Sequence, residues 1–383
     1  MPGAPIFHRQ SISTATGWID RLAPRLDVES VPLNDAVGRC LAGDIHAQHT
    51  CPSNTIATLD GYALAASGTV GASDYSPLPF RQTDAATPLQ SAEAVPLANG
   101  EALPDNADAV IEQEQVEQRA RTLEVSATVA PGSGVIAAGE EFETGALLLS
   151  AGRRLRPQDI AWLALDRRDK VDVISRPRIT VLLVGGVPHD ANGPALTAAI
   201  ARDGGRVVHA ARVDSAAALK NALASIDSDA VITAGGTGQG VNDFAIATLA
   251  EVGRIDIYGV AMNPGESTAL GFAAERPVLA LPGRPLACLC AYDRLGSYLV
   301  RHLAGNASGA SHDTRQMPLK RKVVSSIGQL DICRVRIDAA GAEPLATAEN
   351  RLLSTLVAAD GYILIPENSE GHPAETMVTV HLY

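Results

Sequence analysis

From about residue 177 the sequence alternates between unbroken apolar runs and segments of helical spacing, and few folds accept that alternation. "RITVLLVGG" begins at Arg178 and ends in Gly185-Gly186. "PALTAAIARDGG" has helical spacing and stops at Gly204-Gly205. "RVVHAARV", "DAVITAGG", "IDIYGVAM" and "PVLALPG" are further apolar runs. Between and after them lie "SAAALKNALASID", with Ser215 as N-cap, "FAIATLAEVG", and "PLACLCAYDRLGSYLVRHLAG", one long apolar helix. A strand exposed on one face alternates apolar with polar residues, whereas a strand covered on both faces reads as a continuous run. The pattern therefore predicts a doubly wound, mostly parallel α/β sheet with helices on both faces, over residues 177–308.

The rest of the chain is organised differently. Ile12, Trp18, Ile19, Leu22 and Leu26 share one side of a helix that Pro24 limits. A strand-like Val31-Pro32-Leu33 follows, then a helix starting from Asn34. Residues 51–144 hold short apolar segments cut by Gly, Pro, Asn and Asp, which reads as a β-rich inserted domain. "LRPQDIAWLALD" returns to helical spacing with Pro157 in its first turn, so residues 145–176 join 1–50 as a helical, linking domain. Residues 312–383 carry short strands and predict a small C-terminal β-barrel or sandwich.

Composition narrows the function. The formal charge is −12, from 31 basic and 43 acidic residues, which argues against a nucleic-acid binder. A small anionic ligand remains open, given local help from amides, a few cations or a divalent metal. Five scattered cysteines suggest no disulfide framework, and Cys288 and Cys290, two apart, point different ways on a helix. No apolar run is long enough for a membrane span and the N-terminus lacks the apolar core of a signal peptide, so a cytoplasmic protein is the expectation.

In an open α/β sheet, ligands collect beyond the carboxyl ends of the strands. Three loops take that position: Gly185-Gly186, Gly235–Gly240, and Pro282-Gly283-Arg284-Pro285. In "AGGTGQGVND" the bare backbone at Gly235, Gly236, Gly238 and Gly240 can approach a phosphate closely, and Asp243 can cap a helix or hold Mg²⁺ against that phosphate. The same glycines equally suit a plain turn. The loop is neither a Walker A sequence nor a dinucleotide fingerprint.

Several stretches, in order, resemble the MoeA / gephyrin E-domain family. They are "TLDGYAL" at Thr58–Leu64, "AGEEFETGALLLSAGRRL" at Ala138–Leu155, "AGGTGQGVNDF" at Ala234–Phe244, "NPGESTALG" at Asn263–Gly271, "LPGRPLACLCAYDRL" at Leu281–Leu295 and "ADGYILIPENSEG" at Ala359–Gly371. The resemblance spans nearly the whole chain. It implies a molybdopterin molybdenumtransferase, which inserts molybdenum from molybdate into adenylylated molybdopterin with Mg²⁺ and releases AMP. It also implies a four-subdomain homodimer with a site shared between subunits, and names a molybdopterin adenylyltransferase or a molybdoenzyme as further partners. It involves neither nucleic acid nor membrane.

Carried over by the resemblance, Asp60 and Tyr62 match the aspartate and tyrosine of the family's MDGYA, and Glu140-Glu141 its Gly-Glu-Asp acids. Asp60, Glu141 and Asp243 are then candidate catalytic groups, and Asp60, Asp229 and Asp243 candidate metal ligands. Tyr62, Asn99, Gly235, Gly236, Gly238, Gly240, Pro282, Gly283, Arg284, Pro285 and Ser354 are candidate substrate contacts. The departures are chemical. Two family lysines are Asn263 and Glu266, a threonine is Asn99, and an acidic loop is "GGVPHD", where His189 and Asp190 either substitute in part or belong to a solvated loop. Arg284 replaces an asparagine, either returning a positive charge to the site or pairing with an acid such as Asp293. A degenerate relative that binds or carries molybdopterin is the alternative to an active enzyme, and a scaffold acting through its dimer interface is a third reading.

Overall fold

The computed structural model describes residues 6–22, 27–84, 88–185, 190–240, 243–305, 312–346 and 352–383. The chain forms two compact units. One comprises Met1–Ser30, Gly38–Ala42 and Asp172–Tyr383, the other Val31–Val37 and Gly43–Val171.

The first unit holds the expected α/β sheet. Its elements are β1 (Arg178–Val184), α1 (Asn192–Arg202), β2 (Arg206–Val213), α2 (Ala216–Ala224), β3 (Ala230–Ala234), α3 (Ala245–Val252), β4 (Gly253–Tyr258), β5 (Ala269–Ala273), β6 (Arg276–Leu281) and α4 (Pro285–Ala291). The strand order is β2-β1-β3-β6-β5-β4. β2, β1, β3 and β6 run parallel, while β5 and β4 are antiparallel additions. Here β5 lies between β6 and β4, a strand that the sequence pattern did not mark. Ser215 caps α2 by accepting from the Ala218 amide, as expected. Strands β1 and β3 are buried on both faces, Val181 and Ile232 in one core cluster and Leu182 and Val231 in another, whereas the run "RVVHAARV" forms the edge strand β2 and is largely exposed.

The single long helix expected after Pro285 is instead α4, a π-turn at Tyr292–Gly296 and a further helix at Ser297–Leu303. The buried Tyr292 hydroxyl donates to Asp203 at 3.0 Å. In this geometry Asp293 is held by Arg202 and His312, so of the two roles the sequence left open for Arg284 the pair with Asp293 does not form. Cys288 and Cys290 are buried thiols on α4, and burial pushes Cys290 up to about 12.

The C-terminal segment of this unit is a sheet in the order Met262–Asn263, Leu330–Asp338, Gly361–Ile365, Met377–Leu382 and Thr314–Pro318, with Gly341–Ala346 paired to Leu330–Asp338. Its core includes Leu319, Val335, Ile363 and Val380.

The second unit is built on a six-stranded sheet in the order Ala109–Glu112, Gly61–Leu64, Glu93–Leu97, Leu78–Gln82, Thr122–Val125 and Val116–Arg119. Strand Gly61–Leu64 alternates its side chains between two apolar clusters, Tyr62 and Leu64 into one and Ala63 into the other. The helix Pro157–Leu165 belongs to this unit, with Trp162 against Phe142 at 5.0 Å between ring centroids. A helix from Asn34 does not form. Leu33–Asp35 makes one 3₁₀ turn only. Among the described residues no helix is long and apolar enough to cross a membrane.

Candidate functional site

The parallel half of the α/β sheet places four residues in one row, Arg212, Leu183, Ala234 and Leu281, at the carboxyl ends of β2, β1, β3 and β6. The chain leaves each strand just beyond that row. A cleft of about 550 Å³ opens there, lined by Gly185, Asp190, Asn192, Arg212, Gly235–Gly238, Asp243, Glu266, Ser267 and Pro282–Pro285 among others.

Gly235 explains how the loops fit together. Its φ is +106°, and a Cβ there would overlap the Val184 carbonyl oxygen. Its amide donates to the Leu281 carbonyl, so the ends of β1, β3 and β6 are drawn tight at a position only glycine fills. Among the described residues the next three amides, those of Gly236, Thr237 and Gly238, have no hydrogen-bond partner. The loop carrying them is pinned from behind. Tyr258 donates to the Thr237 and Gly238 carbonyls at 3.2 Å, and Thr237 meets Ser267 hydroxyl to hydroxyl at 2.9 Å. Burial and the nearby Asp243 carboxylate hold the Tyr258 hydroxyl above its ordinary pKa.

The acids of the cleft are each tied to their own loop. Asp190 Oδ1 accepts from the amides of Asn192 and Gly193 at 3.0 Å, so it caps α1. Asp243 Oδ2 accepts from the Gly240 amide at 2.9 Å and lies against Gly238, where a Cβ would stand 2.5 Å from it. Glu266 Oε2 accepts from the Gly265 amide at 3.2 Å. Arg284 is exposed at the start of α4 and has no ion-pair partner among the described residues. Amide donors and a guanidinium, together with carboxylate acceptors, suit an anion that also carries hydrogen-bond donors or a cation.

The cleft gathers most of the sheet-domain candidates: Gly235, Gly236, Gly238, Asp243, Pro282, Gly283, Arg284 and Pro285. Others fall elsewhere. Asp229 precedes β3 and accepts from the Arg178 amide at 2.7 Å, at the end of the strand opposite Gly235. Five residues at about 3.3 Å each separate them, so Asp229 cannot share a metal with Asp243. Gly240 does not line the cleft, and its amide is already used by Asp243. Ser354 is exposed on the short helix Leu353–Val357 and Asn263 pairs with Asp331 in the C-terminal sheet, neither of them a lining residue. Gly186, His189 and Asn242 lie outside the described residues.

The remaining candidates belong to the β-rich unit. Asp60 is exposed and its Oδ1 accepts from the Asn99 amide at 2.8 Å, so these two sit together on one rim. Glu141 is exposed, its amide bonded to the Cys51 carbonyl, while Glu140 accepts from the Ala137 amide at 2.7 Å. Tyr62 is 7% exposed within an apolar cluster with Leu64, Phe80 and Ile111. It is a core residue of that unit, not an open ligand contact, because the Gly61–Leu64 strand is covered on both faces.

Asn192, Arg212, Thr237 and Ser267 were missed by sequence reasoning. Arg212 and Asn192 were legible in principle, as the polar residue near the end of a parallel strand and the first residue of the helix that follows one.

The chain matches three family models: "MoeA N-terminal region (domain I and II)" over residues 10–165, "Probable molybdopterin binding domain" over 180–302, and "MoeA C-terminal region (domain IV)" over 316–383. A Methanocaldococcus jannaschii protein named for molybdopterin biosynthesis is 28% identical over 389 residues, covering 95% of each chain. A molybdopterin molybdenumtransferase of Nostoc sp. is 28% identical over 339 residues, covering 80% of this chain and 78% of its own. The crystal structure of a molybdopterin biosynthesis MoeA protein from Pyrococcus horikosii superposes with a TM-score of 0.76 at 28% identity, over 98% of this chain and 99% of that one. With family regions matched in order from residue 10 to the last, and the same architecture in a solved relative, the chain belongs to the MoeA family.

Proposed function

We propose that this protein is a transferase of molybdenum cofactor biosynthesis, a molybdopterin molybdenumtransferase that inserts molybdenum from molybdate into adenylylated molybdopterin and releases AMP. The observation that carries the reading is the unpartnered run of amides at Gly236–Gly238 beside Arg284, which suits the phosphate of such a substrate. Relatives named as that transferase support it.

Mg²⁺ is compatible with the donors present. It binds through one or two carboxylates together with substrate phosphates, and Asp243 and Glu266 supply such oxygens in the cleft. Among the described residues no three His, Cys, Asp or Glu gather closely enough to hold a metal by themselves, so substrate oxygens would complete the set. When bound, the ion would neutralise charge on the phosphate that leaves with AMP. The chain's own part is to bind and orient. The amides of Gly236–Gly238 donate to the phosphate, Arg284 adds a cation, and the Tyr258 and Ser267 bonds keep the loop rigid. Asp60 and Glu141 would act from the β-rich unit of a second subunit in a homodimer.

A second reading has its own observation. Glu266, which takes the place of a family lysine, lines the cleft and puts a negative charge where a polyanion is to be held. A protein that carries molybdopterin without turnover would tolerate weaker phosphate binding. The test is AMP release from adenylylated molybdopterin with molybdate and Mg²⁺. AMP formed in step with inserted molybdenum supports the transferase. Pterin binding without AMP supports the carrier, and binding of neither refutes both.

A further inference from the structure

Asn192 opens α1 on the wall of the cleft and is 8% exposed. Its side-chain Nδ2 donates to the Gly283 carbonyl at 2.9 Å, while its backbone amide donates to Asp190. The first bond fixes which way the carboxamide faces, because the nitrogen end is committed. The opposite end, Oδ1, is buried and has no hydrogen-bond partner among the described residues. Folded proteins leave few buried polar atoms in that condition, and each calls for an explanation.

The neighbours of Asn192 supply one. Arg284 and the amides of Gly236–Gly238 can only donate, which suits phosphate oxygens. The cleft's carboxylates are acceptors too, but they carry charge and are already bonded to their own loops. Asn192 Oδ1 is a neutral acceptor without a partner among the described residues, unlike the Thr237 and Ser267 hydroxyls, which bond each other. It can take an N–H from an uncharged heterocycle without a cation to balance it. A ligand with donors on a neutral ring beside an anionic tail matches both sets of groups, whereas bare phosphate matches only one.

We infer that Asn192 is a specificity-determining residue whose Oδ1 accepts a hydrogen bond from a ring or amino N–H of the ligand's heterocycle, so that the cleft selects a phosphorylated N–H-bearing ring over phosphate alone. This rests on the proposed function of the same cleft and goes further by naming the group that recognises the ring. The staple to Gly283 holds the acceptor in place, and binding supplies the partner it lacks.

The test uses two probes that share one anion, 6-hydroxymethylpterin pyrophosphate and inorganic pyrophosphate, with Kd measured by calorimetry on the intact protein. The wild-type chain should prefer the pterin compound by at least about tenfold, the scale of one hydrogen bond. Asn192→Ala removes acceptor and staple together. It should erase that preference while shifting pyrophosphate affinity less than about twofold. Asn192→Asp keeps an acceptor but loses the donor to Gly283, and it should retain a preference for the pterin. The inference is overturned if Asn192→Ala weakens both probes equally, if it keeps the preference, or if Asn192→Asp loses it as fully as the alanine variant. A wild-type chain that binds pyrophosphate with no pterin preference overturns the inference and spares the anion floor. One that binds neither probe removes the functional reading along with it.

Discussion

Replacing Gly238 with alanine should disable the cleft while leaving the fold almost intact. The added Cβ would stand 2.5 Å from Asp243 Oδ2, and that carboxylate is the movable end of a side chain, so it would swing away. What the fold loses is the bond from the Gly240 amide to Asp243. A hydrogen bond to a charged group contributes about 1.5–3 kcal/mol, and this exposed one belongs at the lower end or below. A loss near 1 kcal/mol moves the melting temperature by only a few degrees in a chain of this size. Gly235→Ala is the contrasting case. There the backbone φ of +106° and the Val184 carbonyl both oppose a Cβ, and neither can swing aside. Backbone strain alone costs about 1–3 kcal/mol, before any separation of β1 from β3. Thermal unfolding run beside AMP release separates the two. Gly238→Ala should melt close to wild type and lose as much activity as Asp243→Asn, whereas Gly235→Ala should melt clearly lower. Full activity in Gly238→Ala beside an inactive Asp243→Asn would refute the geometry, as would a Gly235→Ala protein of undiminished stability.

Arg284→Glu should weaken pyrophosphate binding about tenfold or more, with a shallower salt dependence than wild type; unchanged affinity in a titration would remove Arg284 from the site. Asp229→Asn should lower stability by about 1 kcal/mol through its bond to the Arg178 amide and leave turnover unchanged, since it lies at the far end of β3; a specific loss of kcat at wild-type stability would contradict this placement. In the β-rich unit, burial of Asp159 pushes its pKa up, but hydrogen bonds from Arg153 and Arg156 outweigh this and hold the carboxyl well below its usual range. Its contribution is therefore complete above the unfolded pKa of about 4 and is lost as pH falls further toward the folded value. Denaturant titrations at pH 6 and pH 3 should show a larger pH dependence in wild type than in Asp159→Asn, and equal dependence would count against the network.

Strands β1, β3 and β6 were legible because burial on both faces leaves an unbroken apolar run, and the loops at their ends follow from topology. The antiparallel pair was harder. Strand Ala269–Ala273 is short and interrupted by Gly271, so neither length nor alternation announces it. The π-turn at Tyr292–Gly296 has no local sequence signal, and its first residue is engaged far away in the chain. Tyr292 reaches Asp203, some ninety residues earlier in the chain. Among site residues, motif positions located the cleft but not the duties of its groups. Asp229 looked like Asp243 in sequence, yet five residues of extended strand put the two at opposite ends of β3. Tyr62 carries a family motif but is buried, because its strand runs between two apolar clusters. Asn192 matched no motif the sequence reading used. Its unpartnered oxygen becomes apparent only when the Gly283 carbonyl is found to occupy its nitrogen.

Asp190 has one more consequence. By taking the first amides of α1, its carboxylate already neutralises the positive pole of that helix. A phosphorylated guest that such a helix end would otherwise attract meets a carboxylate there, while the amides of Gly236–Gly238 remain without a partner among the described residues. Of the two strand-to-helix loops, one has spent its helix-end donors on its own acid and the other has kept its donors free, so an anion's choice between them is settled by the fold before any guest arrives.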